Sequence, residues 1–448
     1  MIAERMLRVL TLADYNTRVV MLGTVLLGIA GGIVGVFLLL RRRALLADAI
    51  SHAALPGVAA AFILVLALGG DPRSLPLLLL GALASGLLGM GCVLAISRFT
   101  RLPQDAALGI VLSVFFGMGI ALLGIIQRMR GAPAAGLNSF IYGRTASMVR
   151  ADALLIGTIA IVVLVVAVAL FKEFRLFTFD PEFAAGDGWP VRRLDALLMT
   201  LVVVVVVIGL QAVGIILVIA ILVIPPAAAR FWTNTLGRLV VLSAAIGAIG
   251  AYAGTAISAV VPRMPAGAII VVSHGVIFVL SALVGPVGGV IHACLDQRRL
   301  ARKTLKQNLL RVLFEFEESR VTSPASEANG LAQHRYLTGA RGWSLRELNL
   351  AVRLLKREGA IYSSPTDALR FTERGSVQAA RVTRNHRLWE VYLLEHAEIA
   401  PAHVDQGADF IEHVLGDELV AELEAALPRF GRAVPGSVHA ISPPEVHA

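Results

Sequence analysis

Cysteine is nearly missing from this chain: there are two in 448 residues, Cys92 and Cys294. Two widely separated thiols exclude a disulfide framework and leave no thiolate cluster for a metal. Lysine is almost as scarce, with four, and no Gly-x-x-x-x-Gly-Lys-Ser/Thr run occurs. The chain therefore has no phosphate-cradling loop of the nucleotide-hydrolysing kind. Charged residues make up only 16%, well below the ~25% of ordinary soluble domains. Near Met1 no short apolar core leads into a small-residue cleavage site, so the first apolar segment is expected to remain as an anchor.

What is present is apolar length. The chain is 57% hydrophobic with a mean hydropathy of +0.76, and that average hides two parts. Apolar segments run over about 18–40, 44–68, 75–97, 105–126, 152–171, 195–211, 213–232, 238–261 and 267–294. Each is near the ~20 residues that a bilayer crossing needs. The stretch from Asp195 to Pro226 is too long for one span, and Gly209-Leu210-Gln211-Ala212 offers a turn. Splitting it there gives nine spans; leaving it whole gives eight. From about Asp296 onward the composition is that of a charged soluble domain.

The net charge of +9 is carried overwhelmingly by arginine. In a polytopic chain this is more often cytoplasmic loop charge than a nucleic-acid footprint. With the N-terminus outside, Arg41 to Arg43, Arg98, Arg101, Lys172, Arg175, Arg192, Arg193, Arg298, Arg299 and Arg302 fall on one side, the cytoplasm. An odd number of spans then delivers the C-terminal part to that side too. Arg128, Arg130, Arg144 and Arg150 oppose this orientation. Small residues recur at packing intervals, in Gly28-x-x-x-Gly32, Gly31-x-x-x-Gly35 and Gly81, Ser85 and Gly89, where helix backbones can approach closely.

Two groups in the second span point to chemistry. Asp48 and His52 are four residues apart and so share a helical face. A charge within lipid costs at least ~2.5 kcal/mol, and carboxylate with imidazole suits Mn, Fe or Zn. If the span starts near Arg43, His52 stands about 14 Å along it, near the bilayer centre. His274 lies in another apolar segment without a partner at helical spacing and reads as a satisfied core histidine. Between the fifth and sixth spans, Asp180 and Pro181 open a short helix through Glu182 and Phe183 that stops at Gly186. Phe183 on one face suits insertion into a partner's groove; a plain interfacial loop helix fits these residues equally well.

The run Arg41-Arg42-Arg43-Ala44-Leu45-Leu46-Ala47-Asp48-Ala49-Ile50-Ser51-His52-Ala53-Ala54-Leu55-Pro56-Gly57 resembles a signature of bacterial ABC permeases for manganese, zinc and iron. Gly214–Ala229 resembles their second signature, and 179–186 their ATPase-coupling region. The resemblance implies a homodimeric, multi-pass permease of the bacterial cell (inner) membrane. It would receive its ion from an extracellular or periplasmic metal-binding protein and be driven by separate cytoplasmic ATPase subunits. It also implies that Asp48 and His52 bind the ion, two copies together supplying two Asp and two His.

In the tail, a helix from Ser344 to Gly359 precedes two short strands around Pro365-Thr366-Asp367, the order of a winged helix. Arg346, Asn349 and Arg353 recur on its exposed face as a DNA-reading helix would need. Further on, His386 and Glu390 share one helical face, and Asp409, Glu412 and His413 another, with Asp405 nearby. Residues 303–428 resemble the iron- and manganese-dependent transcriptional repressors, through His-Arg-Leu-x-Glu at 386–390 and Glu-His-Val-Leu at 412–415. Asp409 falls where that family uses Cys or Glu, and Asp405 where His is common. Asn308 and Arg311 fall where it has Met, Asp or Glu ligands, so one metal site is expected to be incomplete.

The expected fold is mainly α. A polytopic bundle of eight or nine spans occupies 1–295, a linker helix and winged-helix-like domain 296–380, and a helical metal-binding or dimerisation region 381–448. The expected function is an importer permease with a fused cytoplasmic metal-sensing domain, the divalent metal acting as substrate and regulator. The competing expectation is a membrane-anchored, metal-responsive DNA-binding regulator. Membrane attachment restricts access to an operator, so nucleic acid is the less favoured partner.

Overall fold

The computed structural model describes residues 14–70, 74–129, 148–261, 264–322, 333, 336–337, 343–365 and 368–396. The chain divides into two units, 1–292 and 293–448.

The first unit is a helical bundle. Its long helices are α1 (Tyr15–Leu40), α2 (Leu45–Ala67), α3 (Leu75–Phe99), α4 (Gln104–Arg128) and α5 (Arg150–Ala169). Two short helices follow, α6 (Phe171–Phe179) and α7 (Pro181–Gly186), then α8 (Val191–Val213), α9 (Ile215–Arg230), α10 (Leu236–Val260) and α11 (Ala266–Val284). Among the described residues, 8 helices are long and apolar enough to cross a membrane, and α9, with 16 residues, is shorter. The turn expected at Gly209–Ala212 lies instead at Gly214, whose φ of 86° is a backbone that glycine adopts without strain. The helix runs through Gly209, which is spent on packing: a side chain there would meet Val218 as α9 doubles back. Prolines also sit inside spans, Pro56 in α2 and Pro225 and Pro226 in α9. There they remove helical hydrogen bonds that only packing can offset.

Helices α1, α2 and α8 form the buried centre, while α3, α4, α5, α10 and α11 are largely exposed apolar surface. The centre is close-packed through small residues. A Cβ on Gly28 would strike the Gly247 carbonyl, and one on Gly32 the Ser243 carbonyl, so α1 and α10 touch backbone to backbone. Polar atoms use this proximity. Ser243 Oγ donates to the Gly32 carbonyl at 2.7 Å, and Thr24 and Thr255 hydroxyls meet at 3.1 Å. Gly31 and Gly35 face Ile221 and Leu222 of α9, and Gly81 and Gly89 face Gly57 and Ala53 of α2. Ser85 Oγ donates to the Ala53 carbonyl at 2.6 Å.

These contacts also fix direction. Phe37 at the end of α1 packs on Phe171 and Phe174. The Arg41–Arg43 turn meets Asp195 at the start of α8. The Val287 amide donates to the Phe231 carbonyl, beyond α9, at 2.9 Å. The ends of α1, α9 and α11 and the starts of α2 and α8 follow from the alternating direction of the crossings as one end of the bundle. The arginine-rich segments at 41–43, 172–175 and 192–193 belong to it, and the chain leaves the first unit there.

The second unit begins within α12 (Val290–Thr322). Then come α13 (Leu345–Arg357), β1 (Ile361–Ser363), β2 (Leu369–Phe371) and α14 (Glu373–His396). The strands pair antiparallel, Ile361 opposite Phe371. Leu309, Leu313, Leu348, Leu355, Ile361 and Ala379 form a small core. Ser344 caps α13: the Glu347 amide donates to its Oγ while its own amide donates to Glu347 Oε2. The Ser344 hydroxyl, which also donates to Glu347 Oε2 at 2.8 Å, and the Ser344 amide hold the Glu347 carboxyl below its ordinary range.

Candidate functional site

Asp48 and His52 lie on the first turns of α2. The helix starts at Leu45, two residues later than expected, so His52 stands about 10 Å along it. His52 Nε2 is 3.4 Å from Asp48 Oδ1, and the two side chains are 22% and 34% exposed, on an otherwise apolar helix. The imidazole meets Phe116 of α4 edge to face, with ring centroids 4.8 Å apart and planes at 82°. Its Nδ1 is buried with no hydrogen-bond partner among the described residues. Pro56, four residues on, has no N–H to donate to the His52 carbonyl, and Gly119 of α4 lets that helix close on Leu55 and Pro56. One chain thus offers a carboxylate and an imidazole side by side, half-open to whatever covers this face. No group of three or more His, Cys, Asp or Glu that could hold a metal occurs among the described residues.

His274 is elsewhere and satisfied: it is fully buried, with Nδ1 2.8 Å from the Ile270 carbonyl and Nε2 3.3 Å from the Gly247 carbonyl.

The 180–186 segment folds as its sequence suggests. Asp180 Oδ1 accepts from the Phe183 amide at 2.9 Å, Pro181 opens α7 and Gly186 ends it. Phe183 is 61% exposed, as is Phe179 at 64%. Glu182 is also exposed. Behind this surface α6 buries Phe174 and Phe177 against the bundle.

A feature that sequence reading missed lies at the turn before α2. Asp195 Oδ1 lies 2.9 Å from both Arg41 Nη1 and Arg43 Nη1. The Arg41 guanidinium also stacks 4.4 Å from the Phe177 ring centroid. Burial holds the Arg41 guanidinium below its ordinary pKa, and the Asp195 carboxylate works against that. The arginines read as loop charge because their partner is more than 150 residues away.

In the tail, Arg346, Asn349 and Arg353 are exposed on α13, and Arg353 Nε donates to the Asn349 carbonyl at 3.1 Å. His386 is buried on α14. The Glu390 side chain and all of Asp405, Asp409, Glu412 and His413 lie outside the described residues. Around the described part, Arg311 is buried and 3.3 Å from Glu315, and Arg387 is paired with Glu318. Guanidinium cations engage these two carboxylates.

A bundle in which 8 of the described helices are long and apolar enough to cross a membrane is the architecture of a polytopic membrane protein. Residues 13–285 match the ABC 3 transport family. The chain belongs to that family and is a membrane permease subunit, not an enzyme. Residues 372–434 match the iron dependent repressor, metal binding and dimerisation domain. The manganese transport system membrane protein MntC of Bacillus subtilis is 38% identical over 89% of this chain and 88% of its own length. The zinc transport system membrane protein TroC of Treponema pallidum is 42% identical over 64% of this chain and 95% of its own. Among solved structures, PsaBC from Streptococcus pneumoniae in complex with Fab has a chain that superposes with a TM-score of 0.56 at 30% identity. The match covers 65% of this chain and 99% of that one.

Proposed function

We propose that this chain is the membrane-spanning subunit of an ATP-driven importer for a divalent transition metal. Manganese or iron comes first and zinc second, with Asp48 and His52 as the ion's ligands. The observation that carries this reading is the half-open Asp48–His52 pair with its unpartnered Nδ1. A carboxylate facing acyl chains costs at least ~2.5 kcal/mol, so the face is better covered by a second copy than by lipid. Two copies bring two carboxylates and two imidazoles, oxygen and nitrogen donors suited to Mn, Fe or Zn. The extent of the match to the Bacillus manganese protein supports manganese.

Residues 180–186, with Phe183 outermost, dock a cytoplasmic ATPase subunit, and an extracellular metal-binding protein delivers the ion at the opposite end. The tail is cytoplasmic, because it leaves the bundle at the arginine-rich end. It acts there as a regulatory or dimerising module, in which Asp405, Asp409, Glu412 and His413 are the residues to probe for metal.

Uptake of Mn²⁺ by cells producing Asp48→Ala or His52→Ala variants tests the ion site. Uptake should fall to background with normal membrane insertion. Undiminished uptake in either variant would remove the proposed path.

A further inference from the structure

Two arginines of the turn between α1 and α2 converge on one carboxylate distant in sequence. Asp195, near the start of α8, accepts from Arg43 at 2.9 and 3.2 Å through the same guanidinium nitrogen and forms an ion pair with Arg41 Nη1 at 2.9 Å. All three side chains are under a fifth exposed, where an ion pair is screened far less than at a surface. The arginines belong to a tight turn. The Arg43 amide donates to the Leu38 carbonyl, and Arg42 between them takes a left-handed backbone at φ 57°, a costly conformation for a residue with a side chain.

On one side the turn is continuous with the ion ligands. The Arg43 carbonyl accepts the Leu46 amide at 3.0 Å in the first turn of α2, and Asp48 and His52 follow on that helix. On the other side it touches α6, the helix that leads into the ATPase-facing segment. The Arg41 guanidinium lies on Phe177 of α6. Phe177 stacks on Phe174, and Phe174 on Phe37 at the end of α1, with centroids 6.0 and 5.4 Å apart. α6 runs through Asp180 directly into α7.

We propose that Asp195, Arg41 and Arg43 form a clasp that transmits movement of the 171–186 segment to the α2 helix bearing Asp48 and His52. They are positioning residues, touching neither ion nor nucleotide. The inference rests on the functional reading above, in which 180–186 receives the ATPase. The geometry assigns each group a part. Asp195 ties the turn to α8. Arg41 ties it to the aromatic stack of α6. Arg43 ties it to the first turn of α2. A guanidinium can hold a carboxylate and lie on a ring at once, which an ammonium does less well.

The test uses proteoliposomes holding the full chain, its ATPase subunit and its binding protein loaded with Mn²⁺. ATP hydrolysis and Mn²⁺ uptake are measured together. Asp195→Asn and Arg41→Lys should leave hydrolysis within about twofold of the parent and lower Mn²⁺ carried per ATP by about tenfold or more. Asp195→Glu should recover much of the ratio. Equal loss of both activities, with less assembled complex, would mark the clasp as merely structural and overturn the proposal. So would an unchanged ratio in both Asp195→Asn and Arg41→Lys.

Two controls separate this outcome from failure of the underlying reading. Phe183→Asp should abolish copurification of the ATPase if 180–186 docks it, and His52→Ala should abolish Mn²⁺ binding if α2 holds the ion. If either control behaves like the parent, the functional reading fails whatever Asp195 does.

Discussion

His52 meets Phe116 edge to face, 4.8 Å between centroids, while its Nε2 lies 3.4 Å from Asp48 Oδ1. An aromatic neighbour restrains the ring. If His52 holds the ion as proposed, Phe116 sets the orientation of its ring.

Truncating Phe116 leaves His52 free to rotate. Immobilising a side chain costs about 0.5–1.5 kcal/mol, so Phe116→Ala should raise the Mn²⁺ concentration for half-maximal uptake by ~2–10-fold, with a smaller change in maximal rate. Phe116→Tyr should stay near the parent. Uptake titrations in cells check both.

The α1–α10 contact leaves no room for a side chain. Gly28→Val must push the backbones apart at Gly247, and overpacking of this kind costs about 1–3 kcal/mol. Ser243→Ala, which removes only the hydroxyl bonded to the Gly32 carbonyl, should cost less, about 0.6–2 kcal/mol. Thermal melts of the detergent-solubilised protein should rank the variants in that order.

In the second unit, the Ser344–Glu347 cap should make α13 sensitive to acid. Hydrogen bonds from the Ser344 hydroxyl and amide favour the Glu347 carboxylate, so its folded pKa lies below its unfolded one. The stabilisation is present above the unfolded value and is lost as pH falls through the folded one. Amide exchange in the first turn of α13 should quicken over that acid range. Ser344→Ala should weaken protection at neutral pH and flatten the pH dependence.

Removing His274 tests the opposite kind of histidine. Both ring nitrogens of His274 meet backbone carbonyls, and a side chain at Gly250 would strike its ring. His274→Ala should therefore lower thermal stability while leaving the Mn²⁺ concentration for half-maximal uptake unchanged. A shift in that concentration without a stability loss would place His274 in the ion path.

Much of this was legible in the residues alone, because it depends on local spacing. Apolar runs of membrane length are additive along the chain. The i, i+4 interval puts Asp48 and His52 on one face, and Asp180-Pro181 with Gly186 brackets a short helix whatever surrounds it. Gly28-x-x-x-Gly32 announced close packing, although not against which helix. The turn before α9 was misread because several glycines could break the helix, and only Gly214 is needed for its positive φ while Gly209 is needed for contact.

Other features were decided in three dimensions. That α1, α2 and α8 are central while equally apolar α4 and α11 face outward does not follow from hydropathy, since lipid and core are alike to a leucine. Asp195 takes its meaning from Arg41 and Arg43 on another helix turn, and His52 from Phe116 on α4. Helix formation is governed by neighbours a few residues apart, so sequence records it. The pairing of a charge or a ring with a distant partner is set by which helices pack together, and only the tertiary structure contains that.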